Sequence, residues 1–115
     1  MDIGRHLPLT HLSFLILMAL QEKPRHGYSI IKTVGKLSQD RLSPGTGTFY
    51  SALHRMQDEA LLAECPAPEG SKGDSRRRYY ELTDLGEAVL QAEAQRLDSL
   101  LVEARRRKIL TEGRT

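Results

Sequence analysis

Between Leu12 and Leu20 the chain places an apolar residue in almost every direction around a helical axis. Leu12, Leu15, Ile16, Ala19 and Leu20 recur at helical spacing, and Phe14, Leu17 and Met18 widen the stripe until it nearly encircles the helix. A helix of that kind needs burial on most sides. Thr10 precedes it as a candidate N-cap, and Lys23-Pro24 stops it, because the residue before a proline is pushed out of the helical region. In a chain of 115 residues this predicts one small domain built around a central helix. The run Phe14 to Leu20 is about a third of the roughly 20 residues a membrane helix needs. The start carries Asp2 and Arg5 and no small-residue cleavage site follows the run, so neither a membrane span nor a secretory leader is expected.

Two further helices follow. From about His26 to Ser38, Ile30, Ile31, Val34 and Leu37 form a single apolar stripe, with Lys32, Lys36 and the Tyr28 end turned to solvent. After a loop over Gln39 to Ser43, a third helix begins somewhere between Ser43 and Gly47. Ser43-Pro44 offers one start and Thr46 another. Its apolar side carries Phe49, Ala52, Leu53, Met56 and Ala60. Its opposite side carries Gly47, Ser51, His54, Arg55 and Asp58, with Tyr50 at the edge, and its N-terminal half holds no carboxylate.

Leu61 to Cys65 and Arg76 to Leu82 then read as two strands of a hairpin, joined by a long tip of turn-forming and polar residues, Pro66 to Ser75. Strand alternation sets Arg78, Tyr80 and Leu82 against Arg77, Tyr79 and Glu81. Thr83 caps a last helix, with Asp84 and Glu87 in its first turn and Arg105 to Lys108 near its end, each charge placed to suit the helix dipole. Leu90, Ala94, Leu97, Leu101 and Ala104 make a heptad-like seam along it. A run from Asp84 to Leu110 is roughly 40 Å long, which outreaches the domain, so the seam is expected to meet a second copy of itself.

Three helices followed by a hairpin is the order of a winged helix-turn-helix, in which the third helix enters the DNA major groove and the wing lies against the backbone. The fold class expected is mainly α with a small β-hairpin: a winged helix-turn-helix over residues 1–83, and one long C-terminal dimerisation helix with a frayed tail over 84–115. Thr48, Ser51, His54 and Arg55 can approach phosphates and base edges without repulsion, and Lys72, Arg76, Arg77 and Arg78 supply cations from the wing. The net charge is only +2, so distribution rather than total charge carries this reading.

Other chemistry is poorly supported. The single cysteine, Cys65, excludes an internal disulfide and a cysteine-based zinc site, and reads as a small strand residue in a reducing cytoplasmic setting. His6, His11, His26 and His54 show no metal-ligand spacing, and His26 reads as structural. No nucleophile–base motif stands out, so neither an enzyme nor a cofactor is expected.

Three blocks, His26-Gly27-Tyr28, Gly47 to Met56 (GTFYSALHRM) and Arg78 to Gly86 (RYYELTDLG), resemble in order and spacing the signature of the PadR transcriptional regulators, over about Leu9 to Gly86. With one helix after the wing, the chain is similar to the short subfamily, whose C-terminal helix dimerises. The resemblance implies a homodimer on a roughly palindromic DNA operator, usually repressing, with Tyr28 and Tyr50 bonding phosphates. Multidrug-binding members of that subfamily stack planar ligands on a Trp of the last helix. This chain has no Trp and no aromatic residue after Asp84, so that stacking site does not carry over and any small-molecule effector is left open. The competing expectation is a winged helix that docks a protein partner without specific DNA binding.

Overall fold

The computed structural model describes residues 2–70 and 77–111. After a 3-10 turn at Gly4–His6 the elements are α1 (His11–Glu22), β1 (Arg25–His26), α2 (Gly27–Leu37), α3 (Thr46–Asp58), β2 (Leu62–Cys65), β3 (Tyr79–Leu82) and α4 (Asp84–Arg106). The strands form an antiparallel sheet in the order β1-β3-β2, with Arg25 opposite Tyr80 and Leu62 opposite Leu82. This is the winged helix-turn-helix order, followed by one long helix.

α1 is the central element. Leu15, Ile16, Leu17, Ala19 and Leu20 are all buried, and α2, α3, α4 and β3 pack around them. Met18 alone among the central run opens appreciably to solvent. Thr10 caps the helix, its oxygen accepting the Ser13 N–H at 3.0 Å. Ile30 and Val34 of α2, Phe49, Leu53 and Met56 of α3, and Leu61, Leu62, Tyr80 and Val89 complete one apolar core. Burial of each large aliphatic side chain contributes about 1.5–3 kcal/mol.

Several local expectations need correction. α2 starts one residue late because His26 is its N-cap, with Nδ1 accepting the Ser29 N–H at 3.2 Å. Leu37 is exposed rather than on a buried stripe: α2 ends there, and Gln39 and Asp40 turn the chain away with φ of 55° and 62°. α3 is capped by Gly45 without a side-chain bond, so neither Ser43 nor Thr46 is its cap. Ala60 lies beyond α3 and faces solvent. Its φ of 63° closes a Schellman-type turn in which Leu61 N–H reaches the Met56 carbonyl. The second hairpin strand begins at Tyr79, not Arg76, and alternation fails at its start, where Tyr79 and Tyr80 are both buried. β1, which sequence reading did not foresee, pairs with this end of β3, and His26 meets the Tyr79 ring edge-on at 5.3 Å.

α4 ends at Arg106, short of Leu110, and is anchored at its first turn. The Thr83 oxygen accepts the Gly86 N–H at 2.9 Å while its hydroxyl donates to the Ala60 carbonyl at 2.6 Å. A Cβ on Gly86 would stand 1.9 Å from the Leu61 carbonyl oxygen, so only glycine lets α4 rest directly on that backbone. One turn beyond Val89 and Leu90, Glu93 is almost fully buried. Its carboxylate accepts the Leu9 N–H at 2.9 Å and a two-pronged Arg96 bond at 2.6 and 3.0 Å. The Arg96 bond holds its carboxyl below the ordinary value, against the opposing effect of burial. Past this point the same stripe emerges from the body, and the molecule reaches 52 Å along its longest axis.

Candidate nucleic-acid interface

α3 presents its N-terminal polar face outward. Gly47, Thr48, Ser51, His54 and Arg55 are exposed, whereas Phe49, Ala52, Leu53 and Met56 point into the core. The helical period produces this division, with residues three and four apart sharing a side. A Cβ at either Gly45 or Gly47 would meet nothing within 4 Å, so internal packing does not account for glycine at these two positions. Arg55 is engaged within the protein: Nη2 donates to the Ser13 hydroxyl at 3.3 Å, and Nη1 lies 3.7 Å from Glu59 Oε1.

Tyr50 is half-buried and crosses to α2. Its hydroxyl occupies the space beside Gly27, where a Cβ would come within 2.4 Å of it. Its ring meets Phe49 edge-on at 4.9 Å and lies 6.3 Å from His54. Tyr28, at 62% exposure, stacks parallel to His26 with ring centres 6.4 Å apart, and Lys32 Nζ sits 5.5 Å above its ring.

Tyr28, Tyr50, Arg77 and Arg78 converge with His26 and Gly27 on one open concavity of about 330 Å³. Alternation would have turned Arg77 away from Arg78, but both precede the first paired residue of β3, so the pleat does not constrain them. Arg78 is exposed and paired with Glu64 across the hairpin at 3.2 Å. Lys72 and Arg76, the other two wing cations expected from sequence, lie outside the described residues.

His26, read from sequence as structural, caps α2 and also lines the concavity. Because Nδ1 accepts the Ser29 N–H, the neutral ring carries its proton on Nε2, which lies 3.1 Å from Arg77 Nη1. Two donors therefore face one another at the rim of the concavity, beside the N-terminus of α2. Burial, and then the Arg77 charge, lower the His26 pKa from its ordinary 6.5, favouring the neutral cap. An anion oxygen bridging the two donors from the open side of the concavity would satisfy both, and the helix terminus would add to the attraction. The His-Gly-Tyr block marks this place in the sequence, but nothing local says that Arg77, 51 residues on, closes it.

Cys65 ends β2 half-buried, and burial together with Glu81 pushes its thiol pKa up, which disfavours the reactive thiolate. Among the described residues, no group of three or more His, Cys, Asp or Glu is arranged to hold a metal ion. No described helix is long and apolar enough to cross a membrane.

Residues 16–92 match the model of the transcriptional regulator PadR-like family. The chain belongs to that family. The PadR-like match takes in α2, α3, the wing and the buried first turns of α4. The chain is 36% identical over 86 residues to an uncharacterised 37.1 kDa protein in transposon TN4556 of Streptomyces fradiae, a stretch covering 75% of this chain and 23% of that relative. A PadR family transcription regulator from Clostridium difficile R20291 superposes with a TM-score of 0.70 at 29% identity, covering 84% of this chain and 97% of that one. Bacillus subtilis PadR, solved in complex with operator DNA, shares the fold with a TM-score of 0.58 at 24% identity, covering 72% of this chain and 46% of that one.

On the helix expected to dimerise, the five seam residues divide. Leu90 is already enclosed by its own protomer, Leu97 and Ala104 are half-buried, and Ala94 and Leu101 are exposed.

Proposed function

We propose that this PadR-like regulator binds double-stranded DNA sequence-specifically as a homodimer and represses transcription from a pseudo-palindromic operator. The observation that carries the reading is the pairing of two surfaces. α3 offers an exposed polar face free of carboxylates in its N-terminal half. Beside it, Tyr28, Tyr50, His26, Arg77 and Arg78 enclose a donor-rich concavity of phosphate-binding character. In this reading α3 enters the major groove, with Thr48, Ser51, His54 and Arg55 at base edges. The concavity and the wing, including Lys72 and Arg76, take the backbone. Glycine at positions 45 and 47 leaves room for a close approach, and the complex of B. subtilis PadR with operator DNA is a precedent for the shared fold.

Residues 1–83 form the DNA-binding unit, closed by the first turns of α4. Residues 84–115 carry dimerisation through Leu97, Leu101 and Ala104, with Ala94 at the edge of the seam and Leu90 at its root. The protein acts in the cytoplasm as a binder rather than an enzyme and requires no cofactor.

Selection of bound duplexes from a random pool tests this directly. The expected result is a recurring sequence in two half-sites about one duplex turn apart, each bound with strong salt dependence. Recovery of no recurring sequence overturns the specific-regulator reading.

A further inference from the structure

Ser13 is a polar residue that the core does not by itself explain. It lies on α1 at 2% exposure, and its hydroxyl accepts a bond from the guanidinium of Arg55, 42 residues away on α3. The Ser13 backbone is fixed by its N–H bond to the Thr10 cap at 3.0 Å, and its side chain is enclosed. On the other side of the guanidinium, Glu59 Oε1, from the C-cap residue of α3, stands 3.7 Å from Nη1. We propose that Ser13 and Glu59 are positioning residues that hold Arg55 as a preset reading group, and so fix the base preference of α3.

The inference rests on the DNA-binding reading above and concerns how one side chain achieves discrimination. An arginine has five N–H donors in a rigid fork. Among the described residues one is used by Ser13 and one is aimed at Glu59, and the other three have no partner there. The side chain is still 50% exposed, so the clamp holds Arg55 without sealing it in. Its surroundings are those of a reading surface: Arg55 shares a shallow groove of about 740 Å³ with Thr10, Leu12, Thr48 and Ser51. A free arginine loses much rotamer freedom on binding, whereas one already held loses less and can reject a base edge that does not match its fork. The Glu59 charge acts in the same direction. It offsets Arg55 as a general attractor of phosphate and leaves hydrogen-bond geometry to decide the contact.

The test compares the wild-type protein with Ser13→Ala, Glu59→Gln and Arg55→Ala on the duplex selected by the wild type and on single-base-pair variants of it. Melting temperature and the salt dependence of binding are measured alongside. Arg55→Ala identifies the base pair it reads. Ser13→Ala and Glu59→Gln are each expected to lower the preference at that same base pair about fivefold, with the other positions unchanged; the salt slope stays the same in Ser13→Ala and steepens in Glu59→Gln, which releases Arg55 toward phosphate. A merely structural role for Ser13 would move melting temperature and affinity for every duplex together. Because Glu59 is partly exposed, Glu59→Gln gives an independent result should Ser13→Ala disturb packing. A wild-type protein without base preference overturns the DNA-binding reading and this inference together. A specific wild type whose preference survives or sharpens in a clamp variant that keeps the wild-type melting temperature, or does not depend on Arg55, overturns the inference alone.

Discussion

The two halves of α4 carry one stripe into opposite surroundings. Over the first half Gly86, Val89, Leu90 and Glu93 are buried against α1, β3 and the Leu61 backbone. At helical spacing the stripe continues through Leu97, Leu101 and Ala104 with Leu100 beside it, yet Leu100 is 55% and Leu101 44% exposed. The periodicity is continuous but its cover is not. A heptad pattern therefore says which face a helix buries and is silent on whether the cover is the same chain or another.

The largest expected effect tests the rooted half. Gly86→Ala puts a methyl group where the Leu61 carbonyl already stands, and should lower the free energy of unfolding by roughly 3 kcal/mol or more in urea denaturation. A loss below about 0.5 kcal/mol would show that α4 can lift off its seat and would erase the contrast between the halves.

Glu93→Ala should cost somewhat less, about 2–3 kcal/mol, because it strands the Leu9 N–H and removes the buried partner of Arg96. The same residue gives a pH signature. Its carboxyl is held below the ordinary 4.5, so its contribution is complete above that value and is lost as pH falls through the depressed folded value. Stability curves of wild type and Glu93→Gln should therefore converge at acidic pH. Curves that stay parallel would mean that the Arg96 bond does not favour the ionised form in solution.

The free half is tested by Leu101→Glu. This exposed residue should barely affect the fold of the protomer, while the mass measured by light scattering halves and operator affinity falls. An unchanged mass would move the interface elsewhere. Val102→Ser should do least, within about 0.5 kcal/mol and with no change of mass, since Val102 is 57% exposed and off the stripe. A large effect there would widen the proposed seam to a second face.

What the sequence makes legible follows from how local each feature is. The encircled α1, the two faces of α3 and the Thr83 cap depend on residues a few positions apart, so periodicity and capping rules find them. β1 is two residues long and exists only through its pairing with Tyr79 and Tyr80, more than fifty positions on, which also explains why both tyrosines are buried. The apolar period alone placed Leu37 and Ala60 inside, but both sit where a helix gives way to residues with positive φ, and the body has already turned away. At the candidate interface, residue type and face identified Ser51, His54 and Arg55. The bond that Arg55 donates to Ser13 and the approach of Arg77 to His26 join distant segments and come only from the packed chain.

The seat of Gly86 has a mechanical consequence. With no side chain between the α4 backbone and the Leu61 carbonyl, the helix has a fulcrum rather than a cushion where it leaves the wing. Leu101 lies fifteen residues beyond Gly86, a lever arm of roughly 22 Å, and Val89, Leu90 and Glu93, packed on the body between the two, oppose any swing of the helix about that point. An angle adopted near Leu101 is thus delivered to the root of the hairpin with little slack to absorb it.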